Sequence, residues 1–126
     1  MILCDTNILI ELYKGNAAIL RSLTQIGASN IAVSVVSHAE LFYGAKDKNE
    51  FAKIERHLQL CIQCPISPEI SALFLELMRQ YSLSHRVTIP DMLIAATALH
   101  HDIPLFTLNT KDFRFLEGLK LVNDSP

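Results

Sequence analysis

The chain has 126 residues, of which 50% are hydrophobic and 19% are charged. This length fits one domain with a substantial core, and the composition excludes a disordered chain. A formal net charge of −2 excludes the attraction of nucleic acid by bulk positive charge, so any such attraction must be local. The apolar runs are far shorter than a membrane span and no secretory signal is visible, so we expect a cytoplasmic protein.

Short apolar runs alternate with helical stripes along the chain. The runs, which are typical of strands buried in a parallel sheet, are Ile2 to Cys4, Ile31 to Val35, Leu60 to Ile62 and Pro104 to Thr107. The clearest helical stripe extends from Ile70 to Tyr81, behind Ser67 as a cap and Pro68 in the first turn. A later helix begins near Pro90, and an edge strand is possible at 119–121.

This alternation predicts the fold class. Strands that alternate with helices indicate an α/β domain with right-handed crossovers. We expect one domain over residues 1–126, with a parallel central sheet of four to five strands flanked by helices. In such folds, functional groups collect beyond the carboxyl ends of the strands.

The cysteines do not indicate a metal or redox site. Cys61 and Cys64 have the two-residue spacing of a zinc or redox pair, but the sequence has no second pair to complete a zinc site. Cys4 brings the total to three, an odd number that suits a reducing compartment. We therefore interpret them as buried thiols in or beside strands.

Two aspartates stand where a strand ends or a helix begins. Asp5 directly follows the first predicted strand, and Asp91 follows Pro90 at the start of an Ala-rich helix. Each also has a structural interpretation: Asp5 as a helix cap, and Asp91 as an acid beside the positive end of the helix dipole. Capping explains one such residue but not a set, so we interpret both as candidate site residues.

Glu40 follows the second predicted strand. Ser37 and Glu40 have the spacing of a capping box, which is one interpretation. The neighbours Ala39 and Leu41 are apolar, and a carboxylate in apolar surroundings is costly unless a cation compensates it. The two interpretations do not exclude each other.

A last polar cluster follows the fourth predicted strand. Asn109 or Asp112 could point into the same crevice, although a solvated turn before a short helix explains either residue as well. If three or four carboxylates converge, their repulsion requires counter-ions, and Mg²⁺ or Mn²⁺ is the natural choice. Such ions support the cleavage of phosphodiester bonds. Whether one or two are bound stays open.

The sequence lacks the residues that other classes of phosphate-binding or phosphate-transferring proteins need. No glycine-rich phosphate loop is present among the four glycines. A haloacid-dehalogenase-like phosphotransferase needs a second aspartate where Asn7 stands, and a receiver-like pocket needs one after the third strand, where Cys64 and Pro65 stand.

These segments resemble the PIN domain, and within it the VapC toxins of toxin–antitoxin pairs. The resemblance spans essentially the whole chain and rests on four segments in order, at 2–10, 34–44, 90–96 and 107–113. Four such matches at family-like separations are a specific signal, whereas one alone is not.

The resemblance implies an endoribonuclease that hydrolyses RNA at a divalent-metal site, as the toxin of a pair. It implies catalytic and metal-binding roles for four acids: Asp5, Glu40, Asp91 and Asp112. Supporting roles fall to three polar residues, Thr6 and Asn7 beside the first aspartate and Asn109, which competes with Asp112 for the fourth position. The implied cofactor is Mg²⁺ or Mn²⁺.

The implied partners are an RNA substrate, a cognate antitoxin and a second copy of the chain in a homodimer. Two other functions stay open: a PIN-family nuclease outside a toxin system, and a catalytically silent module that acts only through its partner. The complete set of acids argues against the silent module.

Overall fold

A computed structural model describes residues 1–122 of the chain. Its strands are β1 (Ile2–Cys4), β2 (Ile31–Ser34), β3 (Ile62–Cys64) and β4 (Leu105–Phe106). Its α-helices are α1 (Thr6–Tyr13), α2 (Ala17–Ile26), α3 (Val35–Tyr43), α4 (Lys48–Leu58), α5 (Pro68–Tyr81) and α6 (Ile89–His101). Short 3₁₀ turns lie at Ala28–Asn30 and Thr110–Asp112. The predicted α/β class is confirmed.

The strands form one parallel sheet in the order β3-β2-β1-β4. Leu3 at the centre of β1 pairs with Ala32 of β2 on one side and with Leu105 of β4 on the other. The chain therefore moves outward from β1 to β2 and β3, and then returns to the opposite side of β1 for β4. The strand order reverses between β1 and β4, which is where ligands bind in open α/β sheets.

Two apolar cores cover the two faces of the sheet. One contains buried residues of α5 and α6, such as Leu77, Met92 and Ile94, and the other contains buried residues of α1 to α4, such as Ile8, Leu23 and Leu58. Because the strands are buried on both faces, they show continuous apolar runs without alternation. No helix in the described part of the chain is long and apolar enough to span a bilayer.

Two predicted elements need correction. The third strand was expected at Leu60 to Ile62 but occupies Ile62–Cys64, because Leu60 lies in the turn after α4 and is 66% exposed. The possible edge strand at 119–121 is reduced to an isolated parallel bridge between Leu105 and Leu121. In both places a short apolar run does not distinguish a strand from the turn beside it.

The cysteines are buried free thiols, as predicted. Cys61 and Cys64 are 8% and 4% exposed, and Cys4 is fully buried in β1. Burial raises the pKa of each thiol, that of Cys4 to about 12. All three thiols are therefore protonated at neutral pH and serve as small apolar side chains.

Candidate active site

Asp5 lies at the carboxyl end of β1, in the crevice between β1 and β4. Its side chain is 6% exposed. One carboxylate oxygen accepts a hydrogen bond from the Thr6 backbone N–H at 2.8 Å, and the other accepts one from the Thr107 hydroxyl at 2.8 Å. Asp5 is thus the N-cap of α1, as the structural interpretation expected, and also a buried anion at the switch point of the sheet.

Thr107 is a site residue that the sequence did not indicate. It directly follows β4, is 4% exposed, and joins Asp5 to the segment after the strand. Its hydroxyl also accepts a hydrogen bond from the Asn109 backbone N–H at 3.1 Å. The available signal was a hydroxyl residue at the end of an apolar run, where a buried polar group requires a partner.

Asn7 and Thr6 do not act on Asp5 in the same way. The Thr6 backbone N–H donates a hydrogen bond directly to the Asp5 carboxylate. The Asn7 side chain instead contacts the segment after β4: its amide nitrogen lies 3.5 Å from the Thr107 hydroxyl, and its amide oxygen accepts a hydrogen bond from the Leu108 backbone N–H at 3.2 Å. Asn7 therefore supports Asp5 indirectly, by holding the segment that contains Thr107.

Glu40 reaches the site from α3 and is exposed. The Thr6 hydroxyl donates a hydrogen bond to its carboxylate at 2.7 Å and lies 2.9 Å from the Ser37 hydroxyl. The expectation of an apolar environment was wrong, because apolar sequence neighbours occupy other faces of the helix. The capping box of Ser37 and Glu40 is also not formed, since Ser34 caps α3 and Ser37 lies inside it.

Asp91 reaches the site from the first turn of α6 and is half-buried. Thr88 caps this helix by accepting a hydrogen bond from the Asp91 backbone N–H at 3.2 Å. Pro90 occupies the first turn, where its missing N–H has no intrahelical partner to lose. Cap and proline together fix the direction in which α6 presents Asp91.

The carboxylates lie close enough to influence one another's ionisation. Burial is the main cause that raises the pKa of Asp5, and the charges of Asp91 and Glu40 raise it further, while hydrogen bonds from Thr107 and Thr6 oppose the shift. Burial likewise raises the pKa of Asp91, with added contributions from the charges of Asp112 and Glu40 and an opposing hydrogen bond with Thr88. The fold thus brings all four predicted acids to one edge of the sheet.

The two candidates for the fourth position differ in what their side chains do. Asp112 ends the 3₁₀ turn after β4, and its charge acts on Asp91. Asn109 is exposed and supports Thr107 through its backbone N–H. The charge of Asp112 therefore acts on Asp91, whereas the observed contact of Asn109 at this edge is made by its backbone.

The carboxylate oxygens of the four acids are the candidate ligands for a divalent cation. In the arrangement of residues 1–122, no three His, Cys, Asp or Glu side chains form a ready ligand cluster for a metal ion. The chemistry of the donors still fits a hard cation, because carboxylate oxygens are its preferred ligands. A cation would also relieve the repulsion that raises the pKa values of Asp5 and Asp91.

The chain is thus a parallel α/β domain with four acids at one edge of its sheet, and comparison with known proteins gives its family. The PIN domain family model matches residues 2–118, and the chain belongs to this family. The chain is 37% identical over 122 residues to Ribonuclease VapC10 of Mycobacterium tuberculosis, covering 95% of this chain and 91% of that protein.

Solved structures show the same fold. A toxin–antitoxin complex from Klebsiella pneumoniae contains a chain that is 31% identical, with a TM-score of 0.81 and coverage of 94% of this chain and 95% of the other. VapBC2 from Rickettsia felis, bound to a DNA fragment from its promoter, contains a chain that is 27% identical, with a TM-score of 0.87 and coverage of 99% and 100%.

Proposed function

We propose that the chain is an endoribonuclease that hydrolyses RNA phosphodiester bonds, and that it is the toxin of a toxin–antitoxin pair. The observation that carries this proposal is the gathering of Asp5, Glu40, Asp91 and Asp112 at one edge of the sheet. Its likeness to Ribonuclease VapC10 along 95% of the chain supports RNA as the substrate. RNA in the cytoplasm is the target that this function requires, so we place the protein there.

We further propose Mg²⁺ or Mn²⁺ as the cofactor, held by the four acids Asp5, Glu40, Asp91 and Asp112. When bound, the cation would supply charge neutralisation and Lewis-acid activation at the scissile phosphate. The chain's own residues prepare this site. Thr107 and the Thr6 backbone orient both oxygens of Asp5, and burial excludes water from that carboxylate.

Glu40 has a different role in the proposal. It is exposed and receives one hydrogen bond, from the Thr6 hydroxyl, so its second oxygen can accept a proton from an attacking water. Asp91 adds negative charge from the opposite helix in a direction that Pro90 and Thr88 fix. Asp112 interacts with Asp91 through its charge.

The test is RNA cleavage by the purified chain with Mg²⁺ or Mn²⁺, with and without chelator. We expect cleavage that stops when the metal is removed and that Asp5→Ala abolishes. Glu55→Ala, which removes an exposed acid of α4, is the matched control and should cut at the wild-type rate. Equal cleavage by wild type and Asp5→Ala would overturn the assignment of the site.

The antitoxin is proposed to occupy a groove of about 820 Å³ between α1, α3 and α4 that opens beside Glu40. The groove is lined by both apolar and charged residues, which include Ile10, Leu41, Ile54, Lys14 and Lys53. Such a surface fits an amphipathic protein segment. The toxin–antitoxin complex from Klebsiella pneumoniae and VapBC2 from Rickettsia felis support an antitoxin as the partner.

A second experiment separates a toxin from a nuclease of another kind. The chain is co-expressed with the product of a small gene directly upstream of its own, and RNA cleavage is titrated with that product. We expect inhibition near equal molar amounts, and weaker inhibition of Ile10→Asp, whose basal cleavage stays unchanged. Absence of such a gene product, or of inhibition, would favour RNA processing outside a toxin system.

The homodimer also stays a proposal. Half of the residues are hydrophobic, which is consistent with a covered surface between two copies. Sedimentation equilibrium of the purified chain measures it directly.

A further inference from the structure

Tyr43, the last residue of α3, is an aromatic side chain that the fold leaves in solvent. Its exposure is 93%, compared with 38% for Tyr13 and 36% for Phe51, the other exposed aromatic residues in the described part of the chain. Tyr13 packs edge-on against His57, and Phe51 stacks on Phe42. Within residues 1–122, Tyr43 has no such ring contact and no hydrogen bond from its side chain.

The position of Tyr43 places it at the rim of the acidic site. It follows Glu40 by three residues on α3, and residues with this spacing are neighbours on a helix surface, with Cβ atoms about 5–6 Å apart. The Glu40 carboxylate accepts a hydrogen bond from the Thr6 hydroxyl. A molecule that lies across Glu40 and extends along α3 would therefore meet the Tyr43 ring next.

The segment after Tyr43 contains two exposed lysines. Lys46 and Lys48 follow the helix and are exposed, and neither forms an ion pair with an acid in the described part of the chain. Asp47 lies between them and its carboxylate accepts a hydrogen bond from the Glu50 backbone N–H, so the segment 46–50 has no net positive charge and the two lysines can act only as individual contacts for phosphates. An exposed ring with adjacent cations is the surface that binds single-stranded nucleic acid, where bases stack and phosphates meet charge.

We propose that Tyr43 is a stacking platform for one base of a single-stranded RNA substrate, close to the bond that is cut. This inference rests on the proposed ribonuclease function and extends it to how the substrate is held. The stacked base lies flat on the ring while Lys46 and Lys48 face the phosphates beside it. Tyr43 is a binding residue in this proposal and takes no part in the chemical step.

The first test replaces the ring. Tyr43→Ala, Tyr43→Phe and Tyr43→Trp are compared in cleavage of a short single-stranded RNA that contains a mapped cut site. Stacking on one aromatic side chain predicts a loss of about tenfold in kcat/KM for Tyr43→Ala, mostly through KM. Tyr43→Phe and Tyr43→Trp should stay within about twofold of wild type, because any flat aromatic ring provides the platform.

The second test removes the base. An abasic nucleotide is placed at each position of the RNA in turn. At one position near the cut, the wild-type protein should lose about as much as Tyr43→Ala loses with intact RNA, and the two losses should not add. Additive losses at every position, or an equal loss in Tyr43→Phe, would overturn the proposal.

Binding without cleavage separates this proposal from the proposed function. Fluorescence anisotropy of the same RNA is measured in the presence of chelator, which prevents metal-dependent cutting. If the wild type binds but never cuts, the ribonuclease proposal fails, while weaker binding by Tyr43→Ala still supports stacking. Equal binding by the two proteins would overturn stacking, as would a change of oligomeric state in Tyr43→Ala, which would make Tyr43 a contact between copies.

Discussion

The two sides of the acidic site are built differently. On the β1–β4 side, Asp5 is 6% exposed and both of its carboxylate oxygens accept hydrogen bonds. On the α3 side, Glu40 is exposed and held by one hydroxyl, that of Thr6. We call these the fixed side and the open side of the site.

The difference separates positioning from access. A buried carboxylate with two donors is prearranged, but its desolvation is costly and raises its pKa, as it does for Asp5. An exposed carboxylate costs little and can adjust to a substrate that approaches from solvent. Tyr43 follows Glu40 on the same helix, and Lys46 lines the same groove as Glu40. We therefore expect substitutions on the fixed side to change catalysis most and those on the open side to change substrate binding most.

The largest expected effect comes from Asp5→Asn on the fixed side. Loss of the charge should reduce cleavage by about 10³-fold, because several kcal/mol of transition-state stabilisation depend on holding the cation. The same change should stabilise the fold by about 1 kcal/mol, since it removes a buried charge at the site. Cleavage assays and thermal unfolding measure the two effects. Cleavage at the wild-type rate would overturn the assignment of Asp5 to the site, whereas lower stability would show that the hydrogen bond from Thr107 outweighs the cost of the buried charge, because asparagine caps a helix as well as aspartate does.

The pH dependence of stability follows from the same residue. The pKa of Asp5 is raised in the folded state, so the folded protein binds the proton more tightly than the unfolded chain does. Stability is then highest below the unfolded pKa and falls as pH rises through the raised folded pKa. Asp5→Asn should flatten this fall in thermal unfolding measured across the acidic range. An unchanged slope would mean that Asp91, whose pKa is also raised in the folded state, accounts for it.

A smaller effect is expected at Thr107, which within residues 1–122 forms a hydrogen bond with Asp5 and with no other acid. Thr107→Val keeps the shape and removes the hydroxyl, so one buried oxygen of Asp5 loses its donor. Activity should fall by about 10–100-fold, and the acidic limb of the pH–rate profile should move to higher pH because the pKa of Asp5 rises further. Thr107→Ser restores a hydroxyl and is the matched control. A loss of activity without movement of the pH profile would indicate a packing defect.

The comparison also explains what the sequence could and could not predict. The positions of Asp5 and Asp91 in the fold could be predicted because strand ends and helix starts are local features with residue signatures. Glu40 was placed at the correct edge but in the wrong environment, since the exposure of a helical residue depends on which face packs against neighbours.

Thr107 illustrates the remaining limit. Its partner Asp5 is 102 residues away in the sequence, and only the pairing of β4 beside β1 brings them together. No local pattern contains that pairing. The predicted start of β3 was wrong for a related reason. Leu60 and Ile62 are both apolar, and only the register of the sheet shows that the first lies in a turn and the second in the strand.

The smallest expected effect comes from the two exposed candidates for the fourth site residue, Asp112 and Asn109, and it decides between them. Asp112 acts on Asp91 through its charge, whereas Asn109 contributes a backbone N–H that a substitution leaves in place. Asp112→Asn should therefore lower cleavage by about tenfold and raise the Mg²⁺ concentration needed for half-maximal activity, and Asn109→Ala should change cleavage by less than about threefold. Titration of activity with Mg²⁺ measures both. The opposite ranking would transfer the role to the Asn109 side chain.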